Sequence, residues 1–347
     1  MITVYTDQHK LRDSKTELYG GEMVPPFECP RRAEIILGAV KSAQIGEIIA
    51  PTSHGMEAVF AVHDRGFVEF LSTCEAEWRA AGFKGEAIAT CWPTRTMTAP
   101  HIPTHIDGKI GYYALAAETT ISSGTWEAVL ASKDVALTAT DLVLDGARSA
   151  FGLCRPPGHH AAIDQFGGYC FLNNAAIAAQ HARDMGCERV AILDVDFHHG
   201  NGTQNIFYDR DDVLFLSLHG DPKDAFPHFL GYVEETGAGA GEGFTANYPM
   251  PPGTGYAAWK ACLSDALASV DNYKPDLLIV SLGVDTYEND PISFFKLGHD
   301  DFIDYGRAIG ALDLPTVYMM EGGYAVDEIG INVTNVLIGH SNGTRAG

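Results

Sequence analysis

The chain is short of positive charge and of cysteine, and it has no apolar run of membrane length. Lys and Arg number 23 against 45 Asp and Glu, a formal net charge of −22 over 347 residues. A surface of that sign repels nucleic acid and anionic lipid and draws in small cations. Seven cysteines, an odd number without one CxxC pair, argue against a disulfide framework and for a reducing compartment, with most of the thiols buried. No segment reaches the roughly twenty consecutive apolar residues of a membrane span. Neither an Arg-rich leader nor a signal-type apolar segment is found, so a cytoplasmic location is expected. Internal repeats and low-complexity tracts are missing too, which excludes a solenoid.

What is present suffices for one large core: 46% of the residues are hydrophobic. Apolar runs over 2–6, 150–154, 190–195, 213–219, 277–282 and 316–321 read as strands. Helical spacing marks 30–42, 56–81, 111–121, 125–145, 174–185, 257–270 and 300–312. Strands alternating with helices predict an α/β fold with a multistranded parallel sheet and helices on both faces. Residues 7–28 and 83–109 are too polar and too broken by Pro and Gly for regular elements, and read as long functional loops. The chemical motifs scatter from 155 to 324 and must converge, so residues 1–340 are taken as a single domain. The tail at 341–347 reads as disordered.

The stretch that organises the chain is AILDVDFHHGNGT at 191–203. Its apolar start reads as a strand buried on both faces. Alternation then sends Asp194, Asp196 and His198 to one side and Val195 and Phe197 to the other. In an open α/β sheet ligands bind outside the carboxyl ends of strands. Three more predicted strands end in polar groups there: Ser217 and His219, then Asp285, then Glu321 to Tyr324. Asp196, His198 and Asp285 make a donor set suited to zinc at a three-ligand catalytic site, and Fe2+ or Co2+ would take the same donors. Asp194 is better kept to orient an imidazole.

Two further motifs carry groups for catalysis. Pro156-Pro157-Gly158 forbids helix and imposes a rigid turn that presents His159 and His160. One imidazole suits a general base and its neighbour an electrostatic or acid partner. In Met320-Glu321-Gly322-Gly323-Tyr324 the glycines allow tight backbone approach, and Tyr324 suits a hydroxyl donor to a developing oxyanion. Gly167-Gly168-Tyr169, with Phe226 and Ile292, provides residues to line a narrow channel, although each taken alone suits a core position better than a channel wall.

These residues carry a family resemblance. RPPGHH at 155–160, GGYCFLNNAA at 167–176, DVDFHHGNG at 194–202, SLGVDT at 281–286 and EGGY at 321–324 resemble the arginase–deacetylase superfamily. The chain is similar to histone-deacetylase-type hydrolases of the class II kind. HKLRDSKTELYGGE at 9–22 and IPTHIDGKIGYYALAAET at 102–119 resemble the bacterial acetylpolyamine amidohydrolase subgroup.

The resemblance implies the arginase/deacetylase fold, zinc on Asp196, His198 and Asp285, catalysis by His159, His160 and Tyr324, and Asp194 behind His159. It also implies structural potassium. One site would use Asp194, Asp196, Ser217 and the main chain of His198 and Leu218. A second would use main-chain carbonyls near Phe207, Arg210, Val213 and Phe244. Class I deacetylases carry aspartate at the position of Asn201. With a neutral partner His160 should hold its proton less tightly, which favours it as base.

The implied reaction is hydrolysis of the acetyl amide of acetylputrescine, acetylspermidine or acetylcadaverine, with acetyl-lysine peptides or proteins as the alternative substrates. Distal ammonium groups of a polyamine call for carboxylates near the mouth. The candidates are Glu17, Asp107 and Glu118, positions where the polyamine subgroup is acidic. That subgroup forms homodimers whose loops constrict the channel. An arginase-like two-metal site would need D-x-H-x-D, whereas this chain has D-x-D-x-H. A binding protein without catalysis would be expected to lack one of these side chains, and none is missing.

Overall fold

The computed structural model describes residues 1–94, 96 and 101–344. In chain order the N-terminal half comprises β1 (Ile2–Val4), a 3-10 turn (Asp7–Leu11), the hairpin β2 (Glu17–Tyr19) and β3 (Glu22–Val24), α1 (Pro30–Ser42), β4 (Ile48–Ile49), α2 (Glu57–Val62), α3 (Arg65–Ala80), α4 (Ile106–Tyr113) and α5 (Thr125–Leu144). Then come β5 (Ser149–Gly152), α6 (Asn174–Asp184), β6 (Val190–Asp194), α7 (Asn201–Phe207), β7 (Val213–Gly220), β8 (Thr245–Met250), α8 (Tyr256–Tyr273), β9 (Leu277–Leu282), α9 (His299–Gly310), β10 (Thr316–Met320) and α10 (Ile329–Gly343).

Eight strands form one sheet in the order β4-β1-β5-β10-β9-β6-β7-β8, and every neighbouring pair is parallel. Side-chain alternation feeds two cores. From β6, Val190 and Ile192 enter one, while Ala191 and Leu193 enter the other. Both faces are covered, so the central strands are apolar throughout. The chain runs outward through β6, β7 and β8, then returns to lay β9 against β6, with Asp194 opposite Ser281. The order of winding reverses between β6 and β9, and such a switch point opens a crevice at the carboxyl edge.

Local chemistry fixes most boundaries. Pro30 opens α1 at its first turn, where a missing N–H costs nothing. The helical stretch 56–81 breaks at His63 because Asp64 caps a new helix, its side chain accepting the Phe67 N–H.

Several expectations need correction. The helix read over 111–121 does not form: α4 ends at Tyr113, and Ala114 and Ile121 instead pair with Phe166 and Ala87. Those partners lie far off in sequence, so tertiary pairing overrides a weak local preference. Residues 7–28 contain a hairpin rather than loop alone. The chain does not end its order at His340, because α10 continues to Gly343 with Val333, Val336 and Leu337 fully buried. Residues 345–347 of the expected tail, and residues 95 and 97–100 of the expected second loop, lie outside the described residues. All seven cysteines are free, but only Cys74, Cys154 and Cys170 are buried. Among the described residues no helix is long and apolar enough to cross a membrane.

Candidate active site

The strand ends meet. Asp194 closes β6, and Asp196 and His198 follow it on the same side. Asp285 follows β9, Tyr324 follows β10, and His159 and His160 lie on the segment after β5. Asp196, His198 and Asp285 are buried, with ligand atoms all within 4.8 Å of one another. His198 Nδ1 stands 3.0 Å from Asp285 Oδ2 and 3.3 Å from Asp196 Oδ1. Main-chain donors hold the carboxylates: Phe197 N–H donates to Asp285 Oδ1 at 2.7 Å and Gly322 N–H to Asp196 Oδ2 at 2.8 Å. Gly322 has to be glycine, because a Cβ there would lie 2.5 Å from Asp285 Oδ2 and 2.6 Å from Asp196 Oδ2.

The electrostatics of this group favour a cation. Burial and the charge of Asp196 push the Asp285 carboxyl up to about 8. Burial opposes the charged form of His198, yet hydrogen bonds to Asp196 and Asp285 carry it to about 10. Without an ion, shared protons supply the compensating positive charge. Two buried carboxylates and an imidazole nitrogen converging on one point fit a divalent ion in place of those protons.

Beside this centre the two histidines face different partners. His159 Nδ1 is 2.9 Å from Asp194 Oδ2, and His160 Nδ1 is 2.6 Å from Asn201 Oδ1. Burial works against protonation of both. For His159 the charges of Asp194 and Asp196 outweigh it and raise the pKa. For His160 burial and the neighbouring His159 and His198 lower it. Gly168, at φ +56°, packs against His160 so closely that a Cβ would sit 2.2 Å from the imidazole ring.

A cavity of about 370 Å³ opens onto His160, His198 and Tyr324. Tyr169, Phe226 and Ile292 line it as expected, joined by Phe197 and Phe294. Glu17 and Glu118 line it too, and both are engaged. Tyr169 Oη donates to Glu17 Oε1 at 2.6 Å, and Gly168 N–H donates to Glu118 Oε1 at 2.7 Å. The structure does not bring Asp107 to this cavity. It lies in the first turn of α4 and is absent from the lining, because the stretch read as loop coils into helix from Ile106. Asp224, exposed and not anticipated, contributes a third carboxylate. Among the described residues no lysine or arginine lines the cavity.

The model of the histone deacetylase domain matches residues 26–339. The chain belongs to that family. Among relatives of this deacetylase-family chain, the acetylpolyamine amidohydrolase of Mycoplana ramosa is 60% identical over 98% of this chain and 99% of its own. Acetylpolyamine amidohydrolase 1 of Pseudomonas aeruginosa is 52% identical over 99% of this chain and 100% of its own. The crystal structure of an acetylpolyamine aminohydrolase from Burkholderia pseudomallei superposes with a TM-score of 0.94 at 37% identity, covering 99% and 100% of the two chains.

Several contacts that hold this deacetylase site together were not found from sequence. Glu28 lies buried among three arginines: Arg155 Nε and Arg32 Nη1 donate to its Oε1 at 2.7 and 3.0 Å, and Arg12 Nε is 3.8 Å from Oε2. Arg155 carries the histidine-bearing turn, and Arg32 donates to the carbonyls of Glu321 and Gly323, both at 2.6 Å. Glu321 Oε2 accepts the N–H groups of Gly158 and His159 at 2.6 and 3.1 Å. Asp290 accepts the Tyr324 N–H. An Asp before a Pro is a turn signal and could have flagged Asp290. The buried arginines have no counterpart signal.

Proposed function

We propose that this deacetylase-family enzyme hydrolyses the acetyl amide of acetylated polyamines to free amine and acetate, with zinc held by Asp196, His198 and Asp285. Fe2+ or Co2+ would suit the same donors. When bound, such an ion polarises the amide carbonyl and lowers the pKa of water to about 7. The protein's own groups do the rest. Neutral His160 accepts the proton of the attacking water. His159, kept charged by Asp194, adds positive potential beside it. The Tyr324 hydroxyl donates to the carbonyl oxygen as negative charge develops there. A histidine of the pair then returns a proton to the departing nitrogen.

The observation that carries the substrate assignment is the cavity: it joins His160, His198 and Tyr324 to Glu17, Glu118 and Asp224, with aromatic walls between. Apolar walls suit a methylene chain, and carboxylates suit its distal ammonium groups. Relatives that match the chain end to end and bear the name acetylpolyamine amidohydrolase support the same choice.

Potassium is proposed for the pocket of Asp194, Asp196 and Ser217 with the main chain of His198 and Leu218. Support comes from the register that sets Asp194 opposite Ser217, both wholly buried. A second potassium is proposed for the carbonyls near Phe207, Arg210 and Val213, between α7 and β7, with Phe244 just before β8. A homodimer covering the mouth completes the proposal, supported by exposed Tyr19 and Met23 on the β2–β3 hairpin, where Tyr19 lines the cavity, and by exposed Phe229.

The test compares turnover of acetylputrescine and acetylspermidine with that of an acetyl-lysine peptide. Preference for the polyamines is expected. Strong preference for the peptide would make the chain a lysine deacetylase instead.

A further inference from the structure

The segment 321–325 that presents Tyr324 bends too sharply to satisfy its own backbone, with Gly323 at φ +129°. Its polar groups are taken by other parts of the chain. Arg32 serves the carbonyls of Glu321 and Gly323, and Asp196 takes the Gly322 N–H. The N–H groups of Tyr324 and Ala325 both donate to Asp290 Oδ2, at 2.7 and 3.2 Å. Its other oxygen, Oδ1, accepts the Ile292 N–H at 3.1 Å.

Asp290 is 7% exposed and is not among the residues lining the cavity. It therefore does not line the space for substrate, and it is not one of the converging ligand residues. A carboxylate withdrawn from water is costly unless its oxygens are satisfied, and here all three of these donors are main-chain N–H groups. Two of them belong to the tyrosine segment. The third belongs to Ile292, on the cavity wall. One side chain thus ties the phenol-bearing backbone to the wall it faces.

We propose that Asp290 is a positioning residue for the hydrolysis: by gripping the main chain at Tyr324 and Ala325 it sets where the phenol hydroxyl meets the reacting carbonyl. The inference rests on the reading of Tyr324 as oxyanion donor. The hydroxyl sits at the far end of a long side chain, so a small rotation of the peptide at Tyr324 is magnified there. A displacement of about 1 Å at a reacting group costs on the order of a hundredfold in rate.

A double-mutant cycle on the metal-loaded enzyme with acetylputrescine tests this. Asp290→Ala should lower kcat roughly tenfold to a hundredfold, leaving KM within about twofold and the bound metal unchanged. In a Tyr324→Phe background the same substitution should cost no more than about twofold, because the group it positions is gone. Asp290→Asn, which keeps the shape and one acceptor oxygen, carries the same cycle if Asp290→Ala does not fold, and its loss should be smaller. Equal losses in both backgrounds, with Tyr324→Phe itself impaired, overturn the role of Asp290 alone. Undiminished kcat in Tyr324→Phe overturns the assignment of the phenol, and the inference with it.

Discussion

His159 and His160 stand with ring centroids 4.0 Å apart, yet one leans on the carboxylate of Asp194 and the other on the neutral amide of Asn201. That asymmetry divides the labour between two chemically identical side chains. An anionic partner holds one imidazole charged, and burial without an anion leaves its neighbour neutral.

The acid limb of kcat/KM reports the base of the free enzyme. With the His160 pKa pushed well below 6.5, activity should hold at mildly acidic pH and fall only well below that value. Asn201→Asp supplies an anion and favours the imidazolium, so the limb should move to higher pH. A pH profile of kcat/KM in both proteins checks the sign, and an unmoved limb would remove His160 as base.

Tyr324→Phe deletes one hydroxyl from the cavity wall. Removing a single oxyanion donor costs on the order of a hundredfold in kcat, ~3 kcal/mol. Metal content should be unchanged, since Tyr324 is not in the ligand group. Turnover alongside elemental analysis measures both.

Metal uptake should release protons. In the ion-free protein His198 titrates near 10 and Asp285 near 8, so at neutral pH the group carries protons that an incoming divalent ion must displace. Affinity should therefore rise with pH through that range. Calorimetry of zinc binding in buffers of different ionisation enthalpy gives the count, and at least one proton is expected. Chelation should abolish deacetylation, and zinc should restore it.

Glu28 should matter for stability. Burial raises its pKa, but Arg155, Arg32 and Arg12 hold the carboxyl at about 2, against 4.5 ordinarily. A depressed folded-state pKa means stability that is present above 4.5 and is lost as pH falls through about 2. Glu28→Gln leaves buried guanidinium groups uncompensated and should cost roughly 3–5 kcal/mol. Denaturant unfolding at pH 7 measures that loss, which should shrink in acid.

Much of this molecule could be read from its residues because a strand buried on both faces leaves an unbroken apolar run. The run of β6 and the polar residues beyond it located the ligand group directly. β8 escaped notice because Thr245–Met250 includes Asn247 and Pro249, and it lies at the sheet edge, where proline is tolerated. The α10 helix escaped because glycine, asparagine and β-branched residues fill it, and burial against α9 outweighs their poor propensity. Glu321 was seen only as a polar strand end, and its grip on Gly158 and His159, like that of Asp290 on Tyr324 and Ala325, joins residues distant in the chain and leaves no spacing signal.

The cavity mouth draws on five separated stretches: the β2–β3 hairpin, Glu118, Gly168-Tyr169, the loop at 224–228, and the residues around Ile292. None of them belongs to the eight-stranded sheet. Such a rim can be lengthened, trimmed or exchanged while the reactive groups keep their places. Substrate preference and bond-breaking power can therefore diverge independently within one scaffold.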